Sequence, residues 1–592
     1  MMKRTMKKKM TKGAALLLTS CMLLSGCGSP AEGTTEKIEG QNPPARVYTD
    51  AEIENRIALA GSSYDGLYVY DETDNSLFFK GAGNTRGTNS QTVMAEACED
   101  TAGAPSGDYM PPVVADPVDW NTESYNNIKE SGFLSVSTSP FSTFGADVDT
   151  ASYTSLRRRI FENDGYGISD SAIRVEELIN YFHYDYAKPE DGNKFGVTTA
   201  LTHCPWNKDT LLLRVGVKAE EIAPKNGSNI VFLIDTSGSM FDSNKLPLAQ
   251  KAFSLLADNL TAEDTVSIVT YAGSSEVVLE GAKGTDEERI KAAVNSLEAY
   301  GSTNGEGGIL KAYEIAEKYF KKDGNNRIIL ATDGDLNVGA SSEADLISLV
   351  EKKRETGVFL SCLGFGSGNY QDSKMEALAD YGNGNYSYID CTKEASRVLK
   401  EEMWSTLYTV AKDVKFQVEF NKDLVKGYRL VGYENREMAA EDFANDKKDG
   451  GEVGSGQTVT VLYEIVPADS DYQIPQVDSR YGNDKTEASN DTQKAETAAD
   501  ELLAVNIRYK DPDAEKSQLL TYPVTKDMLK EEMDPDTSFA AGVAEYGMLI
   551  RGSEYKGTAS YQGIYDRLKV LPGVMDDEYK TEFLYLVKKT SE

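Results

Sequence analysis

The chain has 592 residues, enough for several domains of ordinary size, and 40% of them are hydrophobic, which is sufficient for packed cores. It carries 62 lysines and arginines against 95 aspartates and glutamates, so its formal net charge is −33. Because nucleic-acid binding depends on clustered cations, this charge argues against a nucleic-acid partner. His183 and His203 are the two histidines, and the sequence motifs of common hydrolases and nucleotide-binding proteins are absent from the sequence. Histidine-based catalysis and metal binding therefore have little support.

The first 26 residues have the pattern of a secretory signal. A cluster of basic residues from Lys3 to Lys12 precedes the apolar stretch 13–24, which is too short to span about 30 Å of hydrocarbon. The stretch ends in Leu24-Ser-Gly-Cys27, which resembles the lipobox of bacterial lipoproteins. That resemblance implies that Cys27 is lipidated and becomes the mature N-terminus. We expect an exported chain, anchored in the bacterial cell envelope through Cys27; an ordinary signal peptide with an incidental cysteine is the alternative.

Composition and periodicity divide the remaining chain into four parts. Residues 27–135 are rich in Gly, Ser, Thr, Asn, Asp and Pro, which predicts a low-complexity spacer. Residues 136–225 show helical spacing followed by alternating strands, and residues 226–407 alternate strands with helices. Residues 408–592 change to a strand period and end in helical patterns.

The four remaining cysteines are Cys98, Cys204, Cys362 and Cys391. An exported location permits disulfides, but the sequence does not choose among the three possible pairings. The surroundings of Cys362 and Cys391 are typical of buried apolar residues. A zinc site is not expected, because no pair has the CxxC spacing.

The segment 226–407 predicts a mostly parallel, doubly wound sheet. Helical patterns begin near Leu246, Asp286, Gly305, Ser342 and Gln371, and strand–helix alternation of this kind places helices on both faces of a sheet. Ser275–Glu280 predicts one antiparallel edge strand. The predicted core strands are Asn229–Ile234, Thr265–Tyr271, Arg327–Thr332, Val358–Leu363 and Asn385–Ile389.

Alternating strands flank this unit on both sides, at 197–217 and at 414–510. We therefore expect an α/β fold whose doubly wound sheet is inserted into a β-sandwich-type domain, followed by a C-terminal helical segment. The insertion is inferred by analogy with other proteins in which a sandwich hosts an α/β unit.

Three short motifs within the α/β unit carry its chemistry. An apolar strand runs directly into Asp235-x-Ser237-x-Ser239, a later helix is opened by a loop containing Thr303, and Asp333 follows the next core strand. The carboxyl ends of adjacent parallel strands meet at one crevice of such a sheet. Two carboxylates and three hydroxyls gathered there are hard oxygen ligands, which suit Mg²⁺ or Mn²⁺.

This arrangement resembles the metal-ion-dependent adhesion site of the von Willebrand factor type A (VWA) family, whose pattern is Asp-x-Ser-x-Ser, a distant Thr and a distant Asp. The resemblance covers about 226–407, and flanking segments such as 139–153 and 431–436 are similar to a bacterial VWA lipoprotein family whose C-terminal part has no known function. It implies a VWA or Rossmann-like fold and a non-enzymatic module. Its implied metal ligands are Asp235, Ser237, Ser239, Thr303 and Asp333.

The resemblance also implies how the module works. In the family the serines bind the metal directly and the aspartates act largely through water, so the metal stays electrophilic and accepts a carboxylate from a partner. We expect Mg²⁺ or Mn²⁺ in preference to Ca²⁺, and a partner protein that presents a Glu or Asp. A Mg²⁺-dependent phosphatase with Asp235 as nucleophile is one alternative, although Ser237 stands where such enzymes place a general acid. A metal-free structural envelope protein is another.

Two further carboxylate pairs have a structural and a functional interpretation. Asp147 and Asp149 precede a helix, where they would cap it or help to bind Ca²⁺. Asp335 lies two residues after Asp333. There it would contact a metal ligand without contacting the metal itself, or it would cap the following loop.

Overall fold

The computed structural model describes residues 48–65, 69–71, 76–78, 123–126, 128–146, 148–162, 170–190, 192–222, 226–336, 343–474, 500–512 and 514–592. Cys27, Cys98 and Asp147, which the sequence singles out, lie outside these ranges.

The part of the chain before the α/β unit forms helices and strands, several of which pair or pack with elements from the C-terminal part of the chain. Its elements are Asp50–Asp65 (α1), Val69–Asp71 (β1), Ser76–Phe78 (β2), Leu134–Ser135 (β3), Phe141–Gly145 (β4), Ala151–Glu162 (α2), Val175–Asn180 (α3), Phe195–His203 (β5) and Leu211–Ala219 (β6).

The α/β unit follows β6 directly and contains a sheet ordered β12-β11-β10-β7-β8-β9. Neighbouring strands are parallel except β9, which pairs antiparallel with β8 at the edge, so the predicted sheet and its antiparallel edge strand are confirmed. Its elements are Ser228–Asp235 (β7), Leu246–Ala257 (α4), Thr265–Tyr271 (β8), Ser275–Lys283 (β9), Glu287–Asn295 (α5), Gly305–Lys318 (α6), Asn325–Thr332 (β10), Glu343–Arg354 (α7), Phe359–Phe365 (β11), Asp372–Tyr381 (α8), Tyr386–Ile389 (β12), Thr392–Ser396 (α9) and Met403–Leu407 (α10).

Strand β7 shows why this sheet needs helices on both faces. All of its residues are buried, and alternate side chains point to opposite faces of a strand. Phe232 and Ile234 belong to one hydrophobic core, whereas Val231 and Leu233 belong to the core on the other side. A strand with an unbroken apolar run such as Ile230–Ile234 is typical of the centre of a sheet that is covered on both faces.

The last part of the chain completes a β-sandwich around the α/β unit. One sheet is ordered β15-β13-β17-β18, with β4 paired to β13, and the other is ordered β19-β5-β6-β16-β14-β3. In the chain, the α/β unit lies between β6 of one sheet and β13 of the other, so it is an insertion in the sandwich domain, as predicted. The elements of this part are Thr409–Phe420 (β13), Val425–Val431 (β14), Val453–Gly454 (β15), Thr458–Pro467 (β16), Glu501–Lys510 (β17), Gln518–Thr525 (β18), Leu529–Lys530 (β19), Pro535–Ile550 (α11), Tyr561–Leu568 (α12) and Glu578–Ser591 (α13).

One feature corrects the predicted division of the chain. The predicted spacer over 27–135 contains the helix α1, whose Ile53 and Ile57 are buried in one core with α13. The predicted regions 136–225 and 408–592 share that helical core and the core between the two sandwich sheets, which agrees with the expected insertion of the α/β unit into one sandwich domain. The packing of α1 against α13 joins distant segments, and local periodicity does not report such contacts.

A search of the described ranges finds no helix that is both long and apolar enough to cross a membrane.

Candidate metal-binding site

The candidate site begins at the carboxyl end of β7. Asp235, the last residue of this strand, is completely buried. The Ser237 amide donates a hydrogen bond to Asp235 Oδ1 at 2.9 Å, and the hydroxyl oxygens of Ser237 and Ser239 lie 3.1 Å apart. The chain turns here through a short 3-10 segment, Gly238–Phe241. Three of the predicted ligands therefore come from one tight loop.

A second loop brings Thr303 beside the first. The Gly238 amide donates to the Gly301 carbonyl oxygen at 3.0 Å, and Gly301 has a φ of +80°, in the left-handed region that glycine adopts without strain. Thr303 follows two residues later and is half-buried. The next residue, Asn304, fixes the end of this loop by accepting the Gly307 amide at 3.2 Å as the N-cap of α6.

The end of β10 supplies the second carboxylate. Asp333 follows the last residue of this strand and is completely buried. The Thr332 hydroxyl donates to Asp235 Oδ2 at 2.8 Å, which links the ends of β10 and β7 directly. The Asp335 amide donates to Asp333 Oδ1 at 3.1 Å. Asp335 thus orients the Asp333 carboxylate through its backbone.

The order of the strands explains why these residues meet. β7 lies between β10 and β8, and the chain runs from β7 to one side of the sheet and later returns to the other side. The ends of β7 and β10 are in register, with Ile234 opposite Ala331. This is the topological switch point of a doubly wound sheet, where the loops diverge and leave a crevice.

Burial and like charge act on the carboxylates of the site. Burial, reinforced by the Asp333 charge, raises the pKa of Asp235 to about 6, although hydrogen bonds from Ser237 and Thr332 oppose the shift. Burial and the same Asp333 charge raise the pKa of Asp335 above its ordinary value. The completely buried Asp235 and Asp333 carboxylates bring like charges to the ends of neighbouring strands, which is a favourable setting for a divalent cation.

Two residues of the site were not found by sequence reasoning. Lys245 Nζ lies 3.1 Å from Asp333 Oδ2 and 2.9 Å from Asn369 Oδ1, and Asn369 Nδ2 donates to the same Asp333 oxygen at 3.0 Å. Lys245 precedes α4 and Asn369 lies in the loop after β11. The only signal in the sequence was a lysine directly before the apolar run Leu246-Pro-Leu-Ala249.

The donor chemistry of these residues fits a hard divalent cation. No group of three or more His, Cys, Asp or Glu side chains is arranged as metal ligands anywhere in the described segments. A cation at the switch point would therefore depend on serine and threonine hydroxyls together with Asp235 and Asp333. Oxygen-only sets of this kind suit Mg²⁺ or Mn²⁺. The five predicted ligands therefore remain predictions. For Thr303, the support is the position of its loop beside the serine loop.

Two aromatic side chains stand at the rim of the site. Phe241, at the end of the serine loop, is 77% exposed, and Tyr300, next to Gly301, is 62% exposed. The Tyr300 amide donates to the Thr236 carbonyl oxygen at 2.8 Å, which holds this part of the rim against the serine loop. Exposed aromatic side chains are enriched in protein-binding surfaces.

Asp149 has a structural role. Its Oδ1 accepts the Tyr386 amide at 2.8 Å, and its Oδ2 lies 3.3 Å from Arg436 Nη2. The carboxylate joins the edge strand β12 to the segment after β14. These contacts offer no support for a Ca²⁺ site at Asp149.

The cysteines that the structure describes are free thiols. Cys204 and Cys362 are buried, and Cys391 is partly buried. Burial raises the pKa of each thiol above its ordinary value, so the reactive thiolate is disfavoured. The expectation that Cys362 and Cys391 behave as small apolar residues fits these surroundings.

Three family models match the chain. The model "von Willebrand factor type A domain" matches residues 229–401, "von Willebrand factor" matches 119–214, and "Uncharacterized protein YfbK, C-terminal" matches 405–592. The chain therefore contains a VWA domain, a class that typically mediates protein–protein interactions and depends on a metal in some members.

The relatives extend this assignment to most of the chain. It is 40% identical over 476 residues to the uncharacterized protein YfbK of Escherichia coli, covering 79% of this chain and 81% of that protein. The chain belongs to the YfbK family of VWA-domain proteins. The resemblance seen in the sequence is thus confirmed for the VWA domain and the C-terminal region, whereas lipid attachment at Cys27 stays a prediction.

The search of solved structures finds similar chains at low sequence identity. A von Willebrand factor type A protein from Catenulispora acidiphila is 18% identical, with a TM-score of 0.36, over 62% of this chain and 80% of its own. The manganese-loaded TRAP protein of Plasmodium vivax is 17% identical, with a TM-score of 0.25, over 33% of this chain and 77% of its own.

Proposed function

We propose that this protein is a metal-dependent protein-binding module. Asp235, Ser237, Ser239, Thr303 and Asp333 would hold one divalent cation, Mg²⁺ or Mn²⁺, at the switch point of the VWA sheet. The cation, when bound, would offer a coordination position to an acidic side chain of the partner. The observation that carries the proposal is the pair of serine hydroxyls 3.1 Å apart beside two buried carboxylates.

The surroundings of the site support capture of a carboxylate. Hydroxyl ligands bring no negative charge, so a cation held largely by them retains its attraction for an anion. The exposed rings of Phe241 and Tyr300 would add apolar contact around the captured side chain. A partner segment that combines an Asp or Glu with apolar neighbours fits this surface.

A pull-down experiment tests whether the protein captures a partner through the metal. The wild-type protein, Ser237→Ala and the control Ser302→Ala would be incubated with envelope extract, in Mg²⁺ and in EDTA. Ser302 is exposed and adjacent to Thr303, so its substitution tests the same loop without removing a predicted ligand. A protein captured by the wild type and by Ser302→Ala in Mg²⁺, and lost in EDTA or with Ser237→Ala, is the expected result. Capture that is equal in Mg²⁺ and in EDTA would contradict the proposal.

No catalytic role is part of this proposal. The position two residues after Asp235 holds Ser237, and a serine hydroxyl does not supply the general acid that an aspartyl-phosphate mechanism requires. Turnover of a phosphate ester that disappears in Asp235→Ala would instead favour the phosphatase.

The location proposed for the module is the bacterial cell envelope, with the chain exported and anchored through a lipid on Cys27. A multiply acylated cysteine anchors stably, since each buried methylene contributes about 0.8 kcal/mol. Cys27→Ser should move the protein from the membrane fraction to the soluble fraction, as followed by fractionation and immunoblotting. Membrane association that survives this substitution would argue against the anchor.

A further inference from the structure

A buried lysine is built into the candidate metal site. The Lys245 side chain is 5% exposed, and its ammonium contacts the completely buried Asp333 carboxylate at 3.1 Å. A Cβ at Gly366 would collide with the methylene chain of Lys245, so this glycine at φ +80° leaves the room that the side chain needs. Asn369 accepts the other hydrogen bond of the ammonium. The lysine is thus packed and oriented by the loop after β11.

The lysine changes the charge that a bound cation would meet. Asp235 and Asp333 are both completely buried, so their ionised forms place two negative charges in the crevice. The Lys245 ammonium balances one of them from the side of Asp333 Oδ2. Asp333 Oδ1 accepts a hydrogen bond only from the Asp335 amide among the described contacts, so this oxygen retains a lone pair.

We infer that Lys245 is a positioning residue that lowers the affinity of the site for a divalent cation and raises the affinity of the loaded site for a carboxylate. This inference rests on the proposed function, because it concerns the same cation. The charge of this one side chain then affects two affinities in opposite directions: that of the site for the metal ion and that of the loaded site for the partner carboxylate.

The effect on the cation has two parts. The ammonium and a divalent cation repel each other across a poorly solvated crevice, where charges interact more strongly than in water. Lys245 also stabilises the metal-free site, because it is the counterion of Asp333, and a neutral replacement would leave that buried carboxylate unpaired. Both parts predict that a neutral residue at position 245 tightens metal binding.

The effect on the carboxylate has the opposite sign. With both aspartates ionised, a divalent cation gives the wild-type site a net charge of about +1, and a neutral residue at 245 reduces this to about zero. A carboxylate is attracted less to the neutral site. A substitution that merely damaged the loop would instead weaken both metal binding and carboxylate binding.

Two equilibria measured on the purified protein separate these possibilities. Mn²⁺ binding is followed by electron paramagnetic resonance, and acetate binding to the Mn²⁺-loaded protein is followed by water proton relaxation. Lys245→Met and Lys245→Gln should each bind Mn²⁺ about tenfold tighter and acetate about tenfold weaker than the wild type. Gln keeps a polar amide beside Asp333 and Asn369, so the comparison still stands on the Gln variant if the Met variant misfolds. Lys251→Met, which removes an equal charge on α4, is the matched control and should stay within about twofold of wild type for both.

The outcomes distinguish the inference from the proposed function. If the wild type binds Mn²⁺ and Ser237→Ala abolishes binding, but both position 245 variants resemble the wild type or weaken the two equilibria together, the role of Lys245 is overturned and the metal site stands. If the wild type binds no Mn²⁺ at millimolar concentration, the proposed function and the role of Lys245 are both overturned.

Discussion

At the scale of single residues, the candidate site keeps groups that are unfavourable for folding. Asp235 is buried at the end of a central strand, and its pKa of about 6 means that its ionised form is disfavoured there. Hydrogen bonds from the Ser237 amide and the Thr332 hydroxyl reduce that cost without removing it. Buried charges that disfavour folding are concentrated at functional sites, where a bound ligand compensates for their cost.

Asp235→Asn should make the metal-free protein more stable while it abolishes metal binding. The pKa of Asp235 is higher in the folded chain than its ordinary value of 3.8, so protonation favours folding and ionisation at higher pH opposes it. The variant should gain about 3 kcal/mol in free energy of unfolding at pH 8 and about half of that at pH 5. Urea denaturation in EDTA at the two pH values measures the difference. A variant that is less stable than the wild type at pH 8 would contradict the burial argument.

Metal affinity should fall on acidification for the same reason. Protons compete with the cation for Asp235, so Mg²⁺ affinity should decrease as the pH falls through about 6 and should be nearly constant above pH 7. Titrations between pH 5 and 8 measure this dependence. In the control Asp335→Asn, metal affinity should depend on pH as it does in the wild type. If the control loses this dependence, the proton that competes with the cation binds to Asp335 and not to Asp235.

At the scale of elements, the sequence predicts the α/β core closely. The predicted strand Thr265–Tyr271 has the same bounds as β8, and the end of β10 at Thr332 is also as predicted. Both strands are rich in apolar and β-branched residues, such as the run Ile328–Ala331 of β10, and polar loops bound them, which is a local signal of a buried strand. The helix α1 was missed because its few apolar residues, such as Ile53, have meaning only against α13.

The candidate site also has a part that local sequence patterns predict and a part that they do not. Asp235 ends β7, and Ser237 and Asp333 lie just after the ends of β7 and β10, so their proximity could be predicted from strand order. Lys245 and Asn369 could not, because their contact with Asp333 joins the start of one helix to a loop far along the chain. A lysine before a helix is ordinarily a solvated residue, and nothing local distinguishes it.

The helix α2 is held to two other parts of the fold by buried charges. Arg157 Nη2 contacts Asp390 at 2.5 Å and Glu394 at 2.9 Å in the VWA unit, and its Nη1 contacts Glu582 of α13 at 2.8 Å. Removing one partner of such a network leaves buried charges uncompensated.

Arg157→Met should therefore destabilise the protein by about 3–5 kcal/mol. The exposed Arg289→Met provides the control and should change the free energy of unfolding by less than about 0.5 kcal/mol. Chemical denaturation of both variants and the wild type makes the comparison. Equal stability of Arg157→Met and Arg289→Met would show that the network contributes nothing.

At the scale of the whole molecule, the sandwich is built from segments on both sides of the inserted VWA unit. β16 pairs with β6 from the earlier part of the chain, and β13 pairs with β4. The core between the sheets contains side chains from both parts, such as Val215 and Val505. The VWA unit is thus attached to the sandwich by two chain connections, at β6 and at β13.

A fragment of residues 408–592 should fail to fold by itself. Without β4, β5 and β6, the strands β13 and β16 would expose unpaired edges and half of the sandwich core. Circular dichroism and a denaturation curve should show no cooperative transition for the fragment, whereas the whole protein should show one. Cooperative unfolding of the isolated fragment would mean that it is an independent domain.

The most direct test of the metal-dependent mechanism is calorimetric titration of Mg²⁺ or Mn²⁺ into the metal-free protein, with Asp235→Ala alongside the wild type. We expect one binding site in the wild type and none in the variant. Absence of binding in the wild type at millimolar metal, or equal binding in both proteins, would contradict the metal-dependent mechanism and leave the fold as described.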